Sequence, residues 1–566
     1  MTWTELPPGW ILIAGGLLAA ALPLRLRQLL MLGLPVAGFY QLLSIPAGNH
    51  AVVEFFGLNL IGSRVDGLSL IWGYIFYIAA FIGAVFHLHV RDRTQDVAAM
   101  TYAGAAIGAV FAGDLLTLFV YWELTAVTSA FLIFANRTNE SYRAGIRYLL
   151  VQILSGVLLL GGIVMHWRAT GSIAFDAMTL QSPGALMMFL GLGVKCAFPL
   201  LHNWLPDAYP RATATGAVFL SAFTTKMAVY TLARGFPGTE ELIWIGAIMA
   251  VFPLFFATIE NDLRRVMAYS LQVQLGFMVV GVGIGTELAL DGAAAHAFTG
   301  VLYKGLLFMV LGAVIYRTGS AKATDLGGLA RAMPWTMGLC LIGAASISAF
   351  PLFAGYISKS LILTSAGAGG HWLVWAMLLL ASVGVVYNTG IRIPYAVFFA
   401  PARQDHGPVS EAPANMVLAM VLAAALCVVI GVAPGLLYQH LPFASAYEPY
   451  TAGHIVTQLQ LLAFTGLAFA WMKRSGRHPA DRRDMVLEFD WIYRKGLQDV
   501  WRKVIEWASE TSGALKGGML GWVGAVVITT RRVVGMNGPL ARTVAPGTGV
   551  LWLMAMLGIY LLVFYA

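Results

Sequence analysis

The chain has 566 residues, 59% of them hydrophobic and only 11% charged. Soluble proteins carry about 25% charged residues, so a water-soluble globular fold is excluded. The net charge of +8 is spread over short loops without a clustered basic patch, which argues against nucleic-acid binding.

Apolar runs of about 18 residues or more recur from end to end, the pattern of an all-α polytopic membrane protein. A membrane β-barrel would alternate over segments of about ten residues instead. About 14 to 16 spans are expected on that length criterion. The first apolar segment, WILIAGGLLAAALPL, has no basic region before it and reads as a span rather than a signal peptide. Clear spans follow at 67–89, 115–135, 146–166, 241–259, 292–315, 372–391, 416–438 and 455–472. The basic stretches RLRQ (25–28), RDRTQ (91–95) and RTNESYRAGIR (137–147) follow the first, third and fifth spans. The positive-inside rule then makes those loops cytoplasmic and turns the N-terminus outward.

Residues 473–547 change character. KRSGRHPADRRD is charged, and GLQDVWRKVIEWASE then places Leu497, Val500, Trp501, Val504 and Ile505 on one helical face. Such a segment, with Trp491, Trp501 and Trp507, suits an amphipathic arm lying at the membrane interface. A last apolar run, 548–565, reads as a terminal anchor. The organisation is therefore 1–99 N-terminal helices, 100–400 core, 401–472 C-terminal core helices, 473–547 arm and 548–566 anchor. Cys196, Cys340 and Cys427 are far apart in apolar surroundings and show neither metal-ligand nor disulfide spacing. No cofactor and no metal site is expected, and any redox chemistry belongs to other subunits.

Charged residues inside the apolar runs carry the chemistry. Glu123 lies in LLTLFVYWELTAVTSAFLIF and Lys226 in AVFLSAFTTKMAVYTLA. Lys304 lies in AHAFTGVLYKGLLFMVLGAVIY, about two turns from His296, and Lys359 in FPLFAGYISKSLIL. Lys195, in LGLGVKCAFPLLHNW, stands about two turns before His202. A lysine at mid-membrane costs roughly 3 kcal/mol, so a set of them implies use. Intramembrane ionisable groups face the bundle interior or a wet cavity and mark ion pathways. Lysine suits proton traffic because its compact ammonium changes protonation with its surroundings, whereas arginine stays charged. Histidine relays near neutral pH. Taken singly, a lysine also fits snorkelling and a histidine a core hydrogen bond. Asp114 reads as a span-boundary cap, and Glu260, Asp262, Arg264 and Arg265 as a loop cluster.

GDLLTLFVYWELTAVTSAFLI, HNWLPDAYPRATATGAVFLSAFTTKMAVYTLAR, ENDLRRVMAYSLQVQLGFM, HAFTGVLYKGLLF and FAGYISKSLIL resemble the proton-translocating subunits of respiratory complex I. They resemble equally the related subunits of Mrp-type multisubunit cation/proton antiporters and membrane-bound hydrogenases. The resemblance runs over residues 100–400. It implies about 14 core transmembrane helices with two inverted five-helix repeats, each containing a broken helix. It pairs Glu123 with Lys226, makes Lys304 the central relay beside His296, and places the distal site at Lys359. Lys195 matches a family lysine ahead of the WLPDA motif. His202, Asp207 in that motif, and Arg264 are secondary candidates. Two departures bear on the helix breaks: SISAFPLFAGY keeps Pro351 alone, and ATATGAV has Thr213 where the family has proline.

The implied function is proton translocation within an Mrp-type monovalent cation/proton antiporter, with the chain resembling its D-type component. The alternatives are a complex I-like or hydrogenase subunit, or the membrane partner of an energy-coupled inorganic-carbon uptake system. Other membrane subunits, the lipid bilayer, protons and Na⁺ are the implied partners. A bacterial inner (plasma) membrane is the implied location.

Overall fold

The computed structural model describes residues 5–402, 404–477 and 502–503. The chain divides into two compact units, Met1–Glu488 and Phe489–Ala566, and the first holds the helical bundle. From residue 478 on, the expected arm lies outside the described residues except for 502–503, and the expected anchor lies outside them entirely.

Helices α1 (Trp10–Ala19) and α2 (Leu24–Ser44) lead into an antiparallel hairpin, β1 (Gly48–Phe55) and β2 (Leu58–Val65). Hydropathy did not anticipate these strands, because eight residues between Gly48 and the turn are short beside the apolar runs around them. Phe56 and Gly57 close the hairpin with φ of 50° and 74°, and two successive positive φ angles match the twist of the flanking strands.

Then come α3 (Gly67–His87), opened by an Asp66–Ser69 capping box, and α4 (Arg93–Phe111). Helix α5 (Leu115–Phe134) is capped by Asp114, which accepts from Thr117 N–H and also from Ile61 N–H of β2. Next are α6 (Asn139–Thr170), α7 (Pro183–Lys195), α8 (Trp204–Ala208), α9 (Ala214–Ala222), α10 (Thr224–Gly235) and α11 (Glu240–Ile259). They are followed by α12 (Leu263–Ile284), α13 (Glu287–Thr318), α14 (Pro334–Ile347) and α15 (Ala354–Ala368). Helix α16 (Trp372–Val385) runs on through two π-helical stretches, Val386–Ile391 and Tyr395–Phe399, which flank the single turn α17 (Arg392–Pro394). Helices α18 (Ala414–Val432), α19 (Gly435–Tyr438) and α20 (Ala452–Arg474) complete the described bundle.

Among the described residues, 11 helical segments are long and apolar enough to cross a membrane, and α1, α7 and α14 are shorter apolar helices. Two expected spans are extended: α6 and α13 each run 32 residues, from threonine caps at Thr138 and Thr286 to Gly171 and Gly319 in the left-handed conformation. The 99/100 boundary falls inside α4, and 472/473 inside the last turn of α20. The three basic stretches meet at one end of the bundle. Arg27 pairs with Asp96, and Arg137 with Asp92 at 3.1 Å.

Two parts of the chain share one hydrogen-bond pattern. Asp114 bridges Ala174 as Asp262 bridges Lys322. Leu115 N–H bonds Ile173 O as Leu263 N–H bonds Ala321 O, both at 2.9 Å. The breaks match too. In AFPL at 197–200 and again at 349–352, the alanine and leucine both take positive φ: 62° and 69°, then 55° and 75°. Phe198 N–H reaches back to Gly193 O as Phe350 N–H does to Ala345 O. Crossings α4 to α10 form one five-membered set and α11 to α16 the other, counting α7 with α8, α9 with α10, and α14 with α15 as single crossings. Five is odd, so the second set runs in the opposite direction across the bundle.

Neither sequence departure removes a break. Thr213 caps α9 through Gly216 N–H, a role a proline side chain could not perform. The single Pro351 follows Phe350 within a break that also draws on the backbone of Ala349 and Leu352.

Candidate functional site

The buried charges sit where helices stop. Lys195 is the last residue of α7. Its Nζ donates to Trp122 O at 2.7 Å and to Thr125 Oγ1 at 3.0 Å, and lies 4.2 Å above the Trp122 ring. Lys226 lies in the first turn of α10, just past the discontinuity at Phe223, and donates to Ser221 O at 2.6 Å. Lys359 donates at 2.8 Å to Ile347 O, the last carbonyl of α14. The C-terminal end of a helix carries partial negative charge and unsatisfied carbonyls. A cation there gains about 0.3–2 kcal/mol from the dipole, and a hydrogen bond from a charged group adds about 1.5–3 kcal/mol. Together these are comparable to the roughly 3 kcal/mol cost of placing lysine at mid-membrane. The breaks are therefore what make the lysines tolerable.

Lys304 differs. It projects from the middle of the unbroken α13 and donates to Ser270 Oγ at 2.6 Å. Thr389, in the first π-helical stretch, donates to the same Ser270 oxygen at 2.9 Å. An extra residue in a helical turn re-aims the side chains after it, and here it coincides with Thr389 meeting the Lys304 site. One helix face further along, His296 bonds Gln274 Oε1 through Nε2 at 2.7 Å, and Ser358 Oγ lies 2.9 Å from Nδ1. Because a carbonyl oxygen only accepts, this arrangement puts the imidazole proton on Nε2. Lys226, Lys304 and Lys359 all act on His296 through space, so the histidine stands in the shared field of three lysines.

The structure corrects the expected ion pair. The charge that acts on Glu123 is Lys195, not Lys226. Lys226 instead interacts with Cys196, the residue after Lys195. The physical reason is the break: it ends α7 at Lys195 and leaves the Nζ of that residue on the α5 backbone beside Glu123, at Trp122 O. Glu123 Oε1 is buried and has no hydrogen-bond partner among the described residues.

The secondary candidates lie apart from this row. Asp207 accepts from Arg147 Nε at 2.7 Å, tying α8 to α6. Arg264 Nη2 bonds Tyr209 O at 3.0 Å and Ala212 O at 2.7 Å, holding the turn that leads into α9. His202 packs edge-on to Phe252, with ring centroids 4.7 Å apart. In the register of the two AFPL stretches, Asp207 occupies the place of Lys359. Glu260 and Arg265 form an ion pair at 3.1 Å, and Asp262 caps α12. Sequence reasoning did not single out Thr125, Ser270, Gln274, Ser358 or Thr389, since hydroxyls and amides in apolar helices carry no periodic signal. The repeated AFPL was the available clue to the paired breaks.

Residues 112–384 match the family model described as NADH:quinone oxidoreductase/Mrp antiporter, transmembrane. NADH-quinone oxidoreductase subunit N of Desulforudis audaxviator is 30% identical over 352 residues, covering 58% of this chain and 70% of that protein. The chain belongs to the NADH:quinone oxidoreductase/Mrp antiporter transmembrane family. Another relative within that family is a Na⁺/H⁺ antiporter subunit of Alkalihalophilus pseudofirmus, 28% identical over 456 residues, 70% of this chain. This chain spans 56% of that antiporter protein's length. The same fold occurs in the membrane-bound sulfane sulfur reductase, an archaeal respiratory membrane complex, with a TM-score of 0.73 at 22% identity, covering 92% of this chain and 98% of that one. As a member of the NADH:quinone oxidoreductase/Mrp antiporter family the chain is a polytopic membrane protein, and its buried charges occupy the matched region.

Proposed function

We propose that the chain is a proton-translocating membrane subunit of a multisubunit assembly of the Mrp-type monovalent cation/proton antiporter class, in a bacterial inner membrane. The carrying observation is the succession Glu123–Lys195, Lys226, Lys304 with His296, and Lys359, buried in one bundle and linked by mutual electrostatics. A proton taken up at one lysine raises the cost of a charge at the next, because each is desolvated and like charges repel at low dielectric. Occupancy therefore moves along the row in steps. Glu123 sets the charge state at Lys195, His296 relays between Lys304 and Lys359, and the lysines at the helix breaks load and release. Moving one charge against 100 mV takes about 2.3 kcal/mol, within the range of such pairwise terms. The antiporter relative from Alkalihalophilus pseudofirmus is a much longer protein, of which this chain spans 56%, so likeness to the D-type component is a finer proposal within the same family.

The test is pH-gradient formation in vesicles holding the assembled complex. Glu123→Gln and Lys195→Ala are expected to lower it on the order of a hundredfold, the usual scale for losing a positioned proton-transfer group. Normal gradients with normal assembly would remove these residues from the mechanism. A second reading, a component of a quinone-reducing complex, is favoured by the NADH-quinone oxidoreductase relative. Mass spectrometry of the intact complex distinguishes the two: redox subunits support the second, small hydrophobic subunits the first.

A further inference from the structure

The register that pairs Asp114 with Asp262 and Ala174 with Lys322 extends along α6 and α13, which are equal in length and end alike at Gly171 and Gly319. In that register Tyr148 stands at the place of His296, and Gly156 at the place of Lys304. The second set thus carries its central lysine where the first carries no side chain. Gly156 is buried on α6 facing α5, and the atoms nearest to it are those of the Glu123 carboxylate. A Cβ added there would lie 2.5 Å from Glu123 Cδ, 3.3 Å from Oε2, and would overlap Oε1 outright. Nothing about the backbone requires glycine at this point: Gly156 lies mid-helix, and glycine there costs roughly 0.5–1 kcal/mol against alanine.

We infer that Gly156 is a positioning residue of the transport site: the bare backbone at this point of α6 is what lets the Glu123 carboxylate sit in reach of Lys195. This rests on the role proposed for Glu123. Oε1 has no hydrogen-bond partner among the described residues, so the carboxylate is held by the shape of the space around it, and Gly156 forms that space. Any side chain at 156 pushes the acid off its place while leaving the helix intact, because the displaced atoms are the movable end of a side chain and not backbone.

Gly156→Ala, Gly161→Ala and Glu123→Gln are compared in the assembled complex in vesicles, by pH-gradient formation over a range of pH. Gly161 is the control. It lies on the same helix, and its added Cβ would meet only the flexible Met187 Cε, at 2.9 Å. Gly156→Ala is expected to lower the rate about tenfold or more, as misplacement by an ångström does at reacting centres, and to move the pH of half-maximal rate. Gly161→Ala is expected to leave both as in the wild type. If Glu123→Gln abolishes transport while Gly156→Ala behaves like Gly161→Ala, the inference about Gly156 is overturned and the role of Glu123 stands. If Glu123→Gln has no effect, the underlying functional reading fails instead.

Discussion

The two halves of the bundle share a backbone and differ in chemistry. In the first, α5 supplies a carboxylate and the broken α7 supplies the lysine beside it. In the second, Leu271 stands in the place of Glu123, the lysine comes from the unbroken α13, and its partners are hydroxyls: Ser270, reinforced by Thr389. A carboxylate sets the charge of its neighbour strongly, whereas hydroxyls hold the ammonium without fixing it. The comparison teaches that the fold fixes where a titratable group can be tolerated, while the choice of partner decides what that group does.

The largest effect should come from removing the lysine of the second half. Lys304→Ala is expected to stop pH-gradient formation as completely as Lys195→Ala, on the order of a hundredfold, if the halves work in series. Residual transport near half the wild-type rate would mean that they work in parallel. Ser270→Ala removes a hydrogen bond from a charged donor, about 1.5–3 kcal/mol, and is expected to slow transport about tenfold. Thr389→Val removes only a neutral bond of about 1 kcal/mol, so its effect should be a few-fold. A loss for Thr389→Val equal to that for Ser270→Ala would show that the π-helical stretch does more than support Ser270.

Much of this was legible in the chain. Long apolar runs marked the spans, and the cost of a buried ammonium singled out Glu123, Lys195, Lys226, Lys304 and Lys359. The partner of Glu123 was not legible. Lys195 and Lys226 are similar distances along the chain from Glu123, and only the break after Lys195 decides which one reaches the α5 backbone beside it. The hairpin was missed because alternation over so few residues is masked by neighbouring helices. Thr213 looked like a weakness and is a cap, since threonine and proline both start helices but by different means.

A smaller test concerns that cap. Thr213 Oγ1 accepts from Gly216 N–H at 2.9 Å and donates to Gln95 Oε1 at 2.7 Å, so it joins α9 to α4. Thr213→Val keeps the shape and removes both bonds. It is expected to lower stability by about 1 kcal/mol, read as an earlier thermal transition of the purified complex, with pH-gradient formation retained. Lost transport at full stability would mean that the start of α9 acts on Lys226 directly, and the first half would then depend on two breaks rather than one.

The smallest expected effect separates the ends of the first half from its middle. Asp66 caps α3 and meets Arg234, at the end of α10, at 2.7 Å, and Arg64 at 3.2 Å. Burial alone would raise its carboxyl, but the bond and charge of Arg234, the Ser69 N–H and Arg64 together hold it below its ordinary value of 3.8. A carboxyl lowered in the folded state stabilises that state above its unfolded value, about pH 4, and the contribution is lost as pH falls through the folded value. The stability difference between wild type and Asp66→Asn should therefore be constant at neutral pH and shrink between about pH 4 and pH 3. Thermal scans of the purified complex across that range measure it, and an equal difference at every pH would show that Arg234 and Arg64 do not hold the carboxylate charged. Because Asp66 is partly exposed and its ion-pair partners are arginines rather than the buried lysines, gradient formation at neutral pH should be unaffected, which distinguishes a charge that ties helices together from the charges that carry protons between them.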